Sequence, residues 1–344
     1  MPETNAGSRQ PRILLVSDLT RHEYQSLKQL ESVGFSLVHA QHLSRGVGEL
    51  NDLLVAFDKV WAVIAGSERY SRDLLSRTAD LRVIARTGVG VDSIDLEAAN
   101  DAGIAVLITE DTNTEAVADF TLALMLATTR RLILADQTVR SGGWRPPDLA
   151  GDLFGATVGI VGVGRIGRAV ARRLRGFGCT ILGADPQADE ALCAELGVHL
   201  TSLHDMLPRI DILTLHLPLL AATRNLIGRA EFTLLKRGAV IVNASRGGIV
   251  DEGALLDALE SGLVSAAALD VFENEPLPGD HPLRLMSNVM LTGHIAAFSR
   301  LAAEKTIDNV VTGLLDLSSG VKPGGLVNPG VLSKDLLPKL VSRG

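Results

Sequence analysis

The stretch TVGIVGVGRIGRAVARRL, residues 157–174, constrains the fold more than any other part of the sequence. It opens with a short apolar run typical of a strand buried on both faces, and it continues with apolar residues at helical spacing. Between these two parts lie Gly162, Gly164 and Gly167, in the pattern G-x-G-x-x-G. The sequence therefore predicts a strand, a tight turn and a helix in immediate succession.

Such a turn is typical of proteins that bind a dinucleotide. The first glycine permits the sharp bend, the second lets a pyrophosphate approach the backbone, and the third lets helix and strand pack closely. Amide groups at the start of the helix, at Arg165 and Ile166, are expected to bind the anion. Because ordinary turns also contain glycines, the motif alone leaves dinucleotide binding and a simple turn about equally open.

The next strand favours the dinucleotide. Asp185 ends the run CTILGAD, 18 residues after Gly167, and a carboxylate that binds the adenosine ribose is expected at roughly 20. A carboxylate there repels the 2′-phosphate of NADP, and none of the next three residues is an arginine. We therefore predict NAD as the cofactor. The alternative is an aspartate that only caps the following helix.

Composition limits the class of protein. A chain of 344 residues that is 46% hydrophobic can bury a large core, and its length favours two domains. A net charge of −7 and a pI near 5.6 argue against nucleic acid or an anionic membrane as a partner. The two cysteines are too few for a disulfide framework or a cysteine zinc site, so we expect no metal. A polar N-terminus without a long apolar run predicts a cytoplasmic protein.

Short apolar strands alternate with amphipathic helices on both sides of the glycine motif, which predicts parallel βα units in a doubly wound α/β fold. Helices are predicted near 21–33 and 43–56. A further helix starts near Asn113 and is apolar nearly all round, so we expect it in a core or between subunits. A Gly- and Pro-rich arm, 141–155, follows it.

The helical pattern after His294 comes too late to belong to the nucleotide-binding strands. We therefore expect it to return to the first domain. This predicts a first domain formed by 1–112 and 297–344, into which an NAD-binding domain, 113–296, is inserted.

Arg246 follows the predicted strand 239–243, at the end of a parallel strand where ligands bind in open sheets. Its planar guanidinium is suited to grip a carboxylate with two charge-assisted hydrogen bonds. The adjacent Gly247 and Gly248 are expected to leave room for the ligand. The alternative is a surface charge that happens to follow a strand.

Three more candidates follow the next strands: Asp270 and Glu275 after one, and His294 after the last. Histidine suits proton transfer near neutral pH, and a carboxylate on its other ring nitrogen would fix its tautomer. Each residue alone has an ordinary alternative, such as a turn carboxylate or a loop histidine. Their common position at strand ends predicts a single site for the oxidation of a hydroxy acid.

The sequence resembles the D-isomer-specific 2-hydroxyacid dehydrogenases from about residue 60 to 330. The resemblance is carried, in family order, by LRVIARTGVGVDSIDLEAA, the glycine motif, LHLPLLAATRNLI, VNASRGGIVDEGALLDALESG, ALDVFENEPLP and LTGHIA. It implies a Rossmann NAD-binding domain inserted into a flavodoxin-like substrate domain. It also implies hydride transfer between the nicotinamide and a D-2-hydroxy acid or 2-oxo acid.

The resemblance assigns roles to individual residues. It implies that Arg246 binds the oxo acid, that His294 is the acid/base, and that Glu275 orients His294. Backbone amides at Val89 and Gly90 would help to bind the substrate carboxylate. On the cofactor side, Asp270 would hold the nicotinamide carboxamide, and the dinucleotide groove would be lined by Thr114, His216, Pro218 and Thr223.

The sequence also departs from the family pattern. Gly293 stands where the family usually has a proline, Asp119 where it often has a glutamate, and an arginine common near Ala65 and Gly66 is missing. The motifs look most like phosphoglycerate dehydrogenases without an appended regulatory domain, since the chain stops at Gly344. Candidate partners of a phosphate are Arg69, Arg72, Arg86 and Arg300.

Two other functions stay open at this point. A glyoxylate or hydroxypyruvate reductase would use the same site with a smaller substrate. An NAD(H)-sensing corepressor-like protein would keep the same residues for interaction instead of turnover. In each case the resemblance implies a homodimer that forms through the cofactor domain.

Overall fold

The structure is a computed structural model that describes residues 10–43, 54–145 and 148–332. The chain divides into two units, with boundaries after Asn113 and after Ser299. Most of the helix predicted near 43–56 lies outside the described residues. The functional roles of the two units stay predictions.

Twelve strands and eleven α-helices are described with the following bounds. The strands are β1 (Arg12–Leu15), β2 (Ser36–His39), β3 (Val60–Ala65), β4 (Val83–Arg86), β5 (Ala105–Leu107), β6 (Thr157–Val161), β7 (Thr180–Ala184), β8 (Val198–Leu200), β9 (Ile212–Leu215), β10 (Ala239–Asn243), β11 (Val264–Leu269) and β12 (Val289–Leu291). The helices are α1 (Leu27–Ser32), α2 (Arg72–Ser76), α3 (Leu96–Asp101), α4 (Thr114–Thr129), α5 (Leu132–Arg140), α6 (Arg165–Leu174), α7 (Glu190–Glu195), α8 (Leu203–Met206), α9 (Arg229–Leu234), α10 (Glu252–Glu260) and α11 (Arg300–Ser318).

The first unit contains a parallel five-stranded sheet in the order β2-β1-β3-β4-β5. This is the strand order of flavodoxin-like doubly wound folds. Helix α11 belongs to this unit, and its Ile307, Val311 and Leu314 pack with Ile13 and Ile64 of the sheet. The chain therefore returns to the first sheet after leaving the second unit.

The second unit contains a parallel seven-stranded sheet in the order β12-β11-β10-β9-β6-β7-β8. Counted from β6, this is the dinucleotide-binding order extended by one strand. The predicted doubly wound parallel α/β architecture is confirmed, with one sheet of flavodoxin-like order and one of dinucleotide-binding order.

Both faces of the second sheet are covered by helices. Along β10, Ile241 packs in a cluster with Leu255 of α10, whereas Val240 and Val242 pack in a second cluster with Val170 of α6. Parallel strands buried on both faces carry continuous apolar runs, which explains the sequence of β10.

Helix α4 packs in the core of its own unit through Val117, Leu124 and Met125. Arg131 then adopts a left-handed backbone, with φ of 51°, and separates α4 from α5. Helix α5 was not predicted from the sequence. It has no buried residue, and its Leu132 and Val139 are about half exposed.

The prediction of a helix near 21–33 is wrong for the first half of that range. A 3₁₀ helix spans Asp18–Arg21, because the side chain of Ser17 accepts the amide of Leu19 and starts a turn there. His22 is extended, which ends that turn, and α1 begins only at Leu27.

Within the described residues no helix is both long and apolar enough to span a membrane. The cytoplasmic location stays a prediction.

A buried carboxyl group follows β3 in the first unit. Glu68 is 2% exposed, and its Oε1 accepts the amide of Gly66 at 3.0 Å. Its Oε2 is buried and finds no hydrogen-bond partner among the described residues. Burial raises the pKa of Glu68 to about 7, against the opposing effects of backbone amides and the charge of Arg86.

This carboxyl group is expected to make stability depend on pH. From about pH 4.5 to about pH 7 the folded chain binds more protons here than the unfolded chain, so stability falls as the pH rises. We expect Glu68→Gln to stabilise the protein by up to about 3 kcal/mol at pH 8. Near pH 4 the variant and the parent are expected to be equally stable.

Urea denaturation at both pH values measures this difference. Glu23→Gln is the control, since it makes the same chemical change at an exposed position. A Glu68→Gln variant that is less stable than the parent at pH 8 would contradict the prediction.

Candidate active site

The glycine turn after β6 has a backbone that only glycine can supply. Gly162 has φ of 88°, and a Cβ there would lie 2.4 Å from the carbonyl oxygen of His216. A Cβ at Gly167 would lie 2.1 Å from the carbonyl oxygen of Gly162. At Gly164, the N-cap of α6, nothing lies within 4 Å of a Cβ position. The turn is therefore packed against backbone atoms at Gly162 and Gly167 and faces open space at Gly164, which fits a pyrophosphate.

Asp185 secures this turn from the end of β7. Its Oδ2 accepts the amide of Val163 and its Oδ1 accepts the amide of Gln187, each at 2.8 Å. The cap of the next helix, α7, is Asp189 instead, so the capping alternative for Asp185 is wrong. A carboxylate has about four acceptor sites, which leaves two for ribose hydroxyls.

The loop that follows β9 begins with a partly buried histidine. Nε2 of His216 lies 3.1 Å from Oγ1 of Thr214, while its buried Nδ1 finds no partner among the described residues. Burial lowers the pKa of His216 to about 4, so the ring is neutral at pH 7. The Thr223 hydroxyl donates to the carbonyl of Pro218 at 2.6 Å and orders the following loop. Thr114 is the first residue of α4, in the same unit.

His294 and Glu275 form the pair predicted at the strand ends. Nδ1 of His294 lies 2.7 Å from Oε2 of Glu275. Burial acts to raise the pKa of Glu275, but the hydrogen bond and charge of His294, with the amide of Phe272 and the charge of Arg246, hold that pKa below its usual value. Glu275 is therefore a carboxylate and only accepts, so Nδ1 of His294 carries a proton and Nε2 is available for proton transfer.

Asp270 lies beneath the loop that carries His294 and is fully buried. Its carboxylate accepts the hydroxyl of Thr292 at 2.7 Å and the amides of Ile295 and Ala296 at 2.9 and 2.8 Å. Its carbonyl accepts the amide of His294 at 2.7 Å. These bonds hold His294 at φ of 55°, a left-handed conformation. This supporting role was not predicted from the sequence, and the contact of Asp270 with a carboxamide stays a prediction.

Arg246 lies in a turn held by Asn243. The side chain of Asn243 donates to the carbonyl of Arg246 at 2.9 Å and accepts the amide of Ser245 at 3.1 Å. The Arg246 guanidinium donates to the carbonyl of Ser245 at 2.7 Å, and its charge acts on Glu275. A cation, an imidazole and a carboxylate therefore share one neighbourhood of the second unit.

Gly247 does not leave room for a ligand, which corrects the sequence-based expectation. A Cβ there would lie 1.8 Å from the carbonyl oxygen of Phe272, because the two backbones touch. The space beside Gly247 is thus filled by the loop that carries Glu275. Gly248 has φ of 71°, and the atom nearest to a Cβ there would be a guanidinium nitrogen of Arg224, at 3.4 Å.

Val89 and Gly90 belong to the first unit. Nε of Arg86 donates to the carbonyl of Gly90 at 3.1 Å, and Val89 is 38% exposed. Arg72, a candidate phosphate partner, instead forms an ion pair of 2.6 Å with Asp101. Asp95 and Glu97 also lie 3.8 Å from it, so its charge is already balanced.

The geometry supports proton transfer by an oriented imidazole beside a cation that can bind an acid. Among the residues that the structure describes, no group of His, Cys, Asp and Glu could hold a metal ion. The open turn and the carboxylate at β7 fit a dinucleotide.

Comparison with known proteins places the chain in a family. Residues 122–296 match the family described as D-isomer specific 2-hydroxyacid dehydrogenase, NAD binding domain. The chain belongs to this family. It is thus an NAD-dependent oxidoreductase of the type that acts on the CH–OH group of 2-hydroxy acids.

Individual relatives carry different substrate names. A D-3-phosphoglycerate dehydrogenase of Methanocaldococcus jannaschii is 37% identical over 95% of this chain, which spans 61% of that protein. A glyoxylate reductase of Aeropyrum pernix is 43% identical over 77% of this chain and 82% of its own. The crystal structure of a glyoxylate reductase from Paecilomyes thermophila is similar with a TM-score of 0.80 and 31% identity, over 93% of this chain and 99% of that one.

Proposed function

We propose that the chain interconverts a D-2-hydroxy acid and its 2-oxo acid, with His294 as the acid/base, Glu275 as its orienting carboxylate and Arg246 as the ligand of the substrate carboxylate. The observation that carries the proposal is the 2.7 Å bond between Nδ1 of His294 and Glu275. It leaves the other ring nitrogen of His294 for the substrate oxygen.

Each residue has one task in this proposal. In the reductive direction, His294 as imidazolium donates its Nε2 proton to the oxygen of the oxo group, and Glu275 stabilises the imidazolium. In the oxidative direction, Nε2 accepts the hydroxyl proton. Arg246 pairs with the substrate carboxylate and so holds the reacting carbon in a fixed orientation. We assign the amides of Val89 and Gly90 to the same carboxylate.

The cofactor-binding residues follow from the glycine turn. Amides at Gly164, Arg165 and Ile166 would hold the pyrophosphate, and Asp185 would accept the ribose hydroxyls. Further proposed lining residues are Gly162, Gly167, Thr114, His216, Pro218, Thr223 and Asp270. NAD, when bound, supplies the site that accepts the hydride, and NADH supplies the hydride.

Asp185→Ala is expected to relax the coenzyme preference. It removes the carboxylate that repels a 2′-phosphate, and it also removes the acceptors for the ribose hydroxyls. We expect the ratio of kcat/KM for NADH over NADPH to fall by about tenfold or more, which corresponds to about 1.4 kcal/mol. Asp189→Ala, at the cap of α7, is the matched control. An unchanged ratio would contradict the ribose assignment.

For the substrate we propose a phosphoglycerate dehydrogenase-like activity. The Methanocaldococcus jannaschii relative of that name aligns with 95% of this chain. The second candidate is glyoxylate or hydroxypyruvate reduction. It is favoured by the higher identity to the Aeropyrum pernix glyoxylate reductase and by the position of Arg72, whose charge is balanced by carboxylates.

NADH oxidation with a panel of 2-oxo acids tests the function. The panel contains 3-phosphohydroxypyruvate, hydroxypyruvate, glyoxylate and pyruvate, and a D-configured product is expected from every acid except glyoxylate, whose product is achiral. The highest kcat/KM with the phosphorylated acid supports the first candidate, and the highest with glyoxylate or hydroxypyruvate supports the second. Tight NADH binding without turnover of any acid would overturn the enzyme proposal and favour an NAD(H)-sensing interaction protein.

We further propose that the chain forms a homodimer through the second unit. The support is a set of exposed apolar side chains on α5 and the arm that follows it. These are Leu132, Ile133, Val139, Trp144, Leu149 and Phe154. Exposed apolar side chains concentrated along one stretch of the chain favour an interface with another protein.

A double variant, Trp144→Glu with Phe154→Glu, is expected to sediment as a monomer, while the parent sediments as a dimer. The two side chains are 77% and 81% exposed, so the substitutions leave the core of the second unit intact. The control is Leu285→Glu, an apolar side chain that is 88% exposed outside this surface. A parent protein that sediments as a monomer would contradict the proposal.

A further inference from the structure

The loop 270–288 carries Glu275 and is fastened to helix α10 by a second carboxylate. Glu252 lies in the first turn of α10, where its Oε1 accepts the amide of Glu273 at 2.7 Å. Its Oε2 lies 3.2 Å from Nε2 of His281. One carboxylate therefore joins two points of the loop, on either side of Glu275.

The contacts of His281 define its tautomer. Its Nδ1 accepts the amide of Leu283 at 3.3 Å and caps the short 3₁₀ helix Pro282–Leu285. A ring nitrogen that accepts has no proton, so in the neutral ring the proton is on Nε2 and faces Glu252. The side chains of His281 and Glu252 are only 20% and 13% exposed. A hydrogen bond shielded from water in this way is stronger than an exposed one.

The position of the loop determines whether Glu275 meets His294. Oε1 of Glu275 accepts the amide of Phe272 at 3.0 Å, within the same loop, and Oε2 reaches His294 at 2.7 Å. Hydrogen bonds weaken steeply once the two atoms are more than about 3.2 Å apart, so a displacement of roughly 1 Å would break this contact. The attachment of Glu252 at Glu273 is two residues from Glu275 and limits such a displacement.

We propose that Glu252 and His281 are positioning residues that hold the loop so that the Glu275 carboxylate stays on Nδ1 of His294. They act through Glu275 and do not reach the reacting atoms. The catalytic consequence rests on the proposed function, whereas the positioning itself does not.

Two substitutions separate the contacts. Glu252→Gln keeps an acceptor for the amide of Glu273, but its amide nitrogen then faces the Nε2 proton of His281, donor against donor. His281→Asn keeps a side chain that can cap Pro282–Leu285 but is too short to reach Glu252. The matched control is Asp257→Asn on the same helix, which breaks a pair with Arg229.

Proton NMR of the imidazole Nδ1 proton of His294 is the readout that does not depend on activity. The resonance is assigned by its absence in His294→Asn, and Glu275→Gln serves as a reference for a broken pair. We expect Glu252→Gln and His281→Asn to shift or broaden it towards the Glu275→Gln state, and Asp257→Asn to leave it unchanged. An unchanged resonance in both loop variants would overturn the proposal.

Steady-state kinetics give the second readout. With an oxo acid that the parent reduces, we expect kcat to fall by about tenfold to 10²-fold in both loop variants, with KM for the oxo acid changed much less. If the parent reduces none of the acids, the proposed function fails, and the NMR comparison still decides whether Glu252 and His281 hold the pair. A fall in kcat without any change in the resonance would overturn the positioning role.

Discussion

His294→Ala is expected to lower kcat for the reduction of a 2-oxo acid by a factor of about 10² to 10⁴, the usual contribution of a positioned acid/base. The variant removes the only group in the proposal that exchanges a proton with the substrate oxygen. The glycine turn and Asp185 are untouched, so the dissociation constant of NADH is expected to change by less than about twofold.

His294 has a left-handed backbone, with φ of 55°. A substitution there changes backbone strain as well as proton transfer, so the two effects need a control that separates them. Asparagine tolerates that conformation better than alanine, so His294→Asn separates lost proton transfer from backbone strain. Both variants are expected to lose turnover to a similar extent. His204→Ala, at an exposed histidine of the same unit, is expected to retain full turnover. Near-normal turnover in His294→Asn would remove His294 from its proposed role.

Gly247→Ala is expected to damage both stability and turnover. Its Cβ would lie 1.8 Å from the oxygen and 2.0 Å from the carbon of the Phe272 carbonyl. Neither atom belongs to a flexible side chain, so the backbone of the loop must move by more than about 1 Å. Forced overpacking of this kind costs about 3 kcal/mol or more. Because the same loop carries Glu275, turnover of the folded fraction is expected to fall by about 10²-fold.

Thermal unfolding and kinetics on one preparation measure the two effects. The control is Gly279→Ala in the same loop, where nothing lies within 4 Å of the Cβ position. Gly293→Ala is a second control for the same reason, immediately before His294. The prediction is wrong if Gly247→Ala matches Gly279→Ala in both melting temperature and kcat.

The features predicted well from sequence are those with local causes. The turn of Gly162 and Gly167 needs a backbone without Cβ, and that requirement is visible in the residue types. Strands such as β10 are buried on both faces and therefore read as continuous apolar runs. Parallel strands end at one edge of the sheet, which is why His294 and Glu275 could be expected near each other.

The features missed from sequence depend on contacts between distant segments. Gly247 looked like free space for a ligand, but its neighbour Phe272 comes from another loop. The supporting role of Asp270 was not predicted, because its bonds beneath the loop of His294 arise only when β11 and β12 lie side by side. Arg72 was a candidate partner of a phosphate, but in the structure it pairs with Asp101 of another helix.

A double-mutant cycle on Glu275 and His294 tests the central claim most directly, because it asks whether the carboxylate acts through the imidazole. The cycle compares kcat for Glu275→Gln, for His294→Asn and for the double variant, with NADH affinity as the check on folding. We expect Glu275→Gln to lower kcat by about 10- to 100-fold in the parent, and not at all when His294 is already asparagine. Equal losses in both backgrounds would contradict the account, since Glu275 would then act independently of His294.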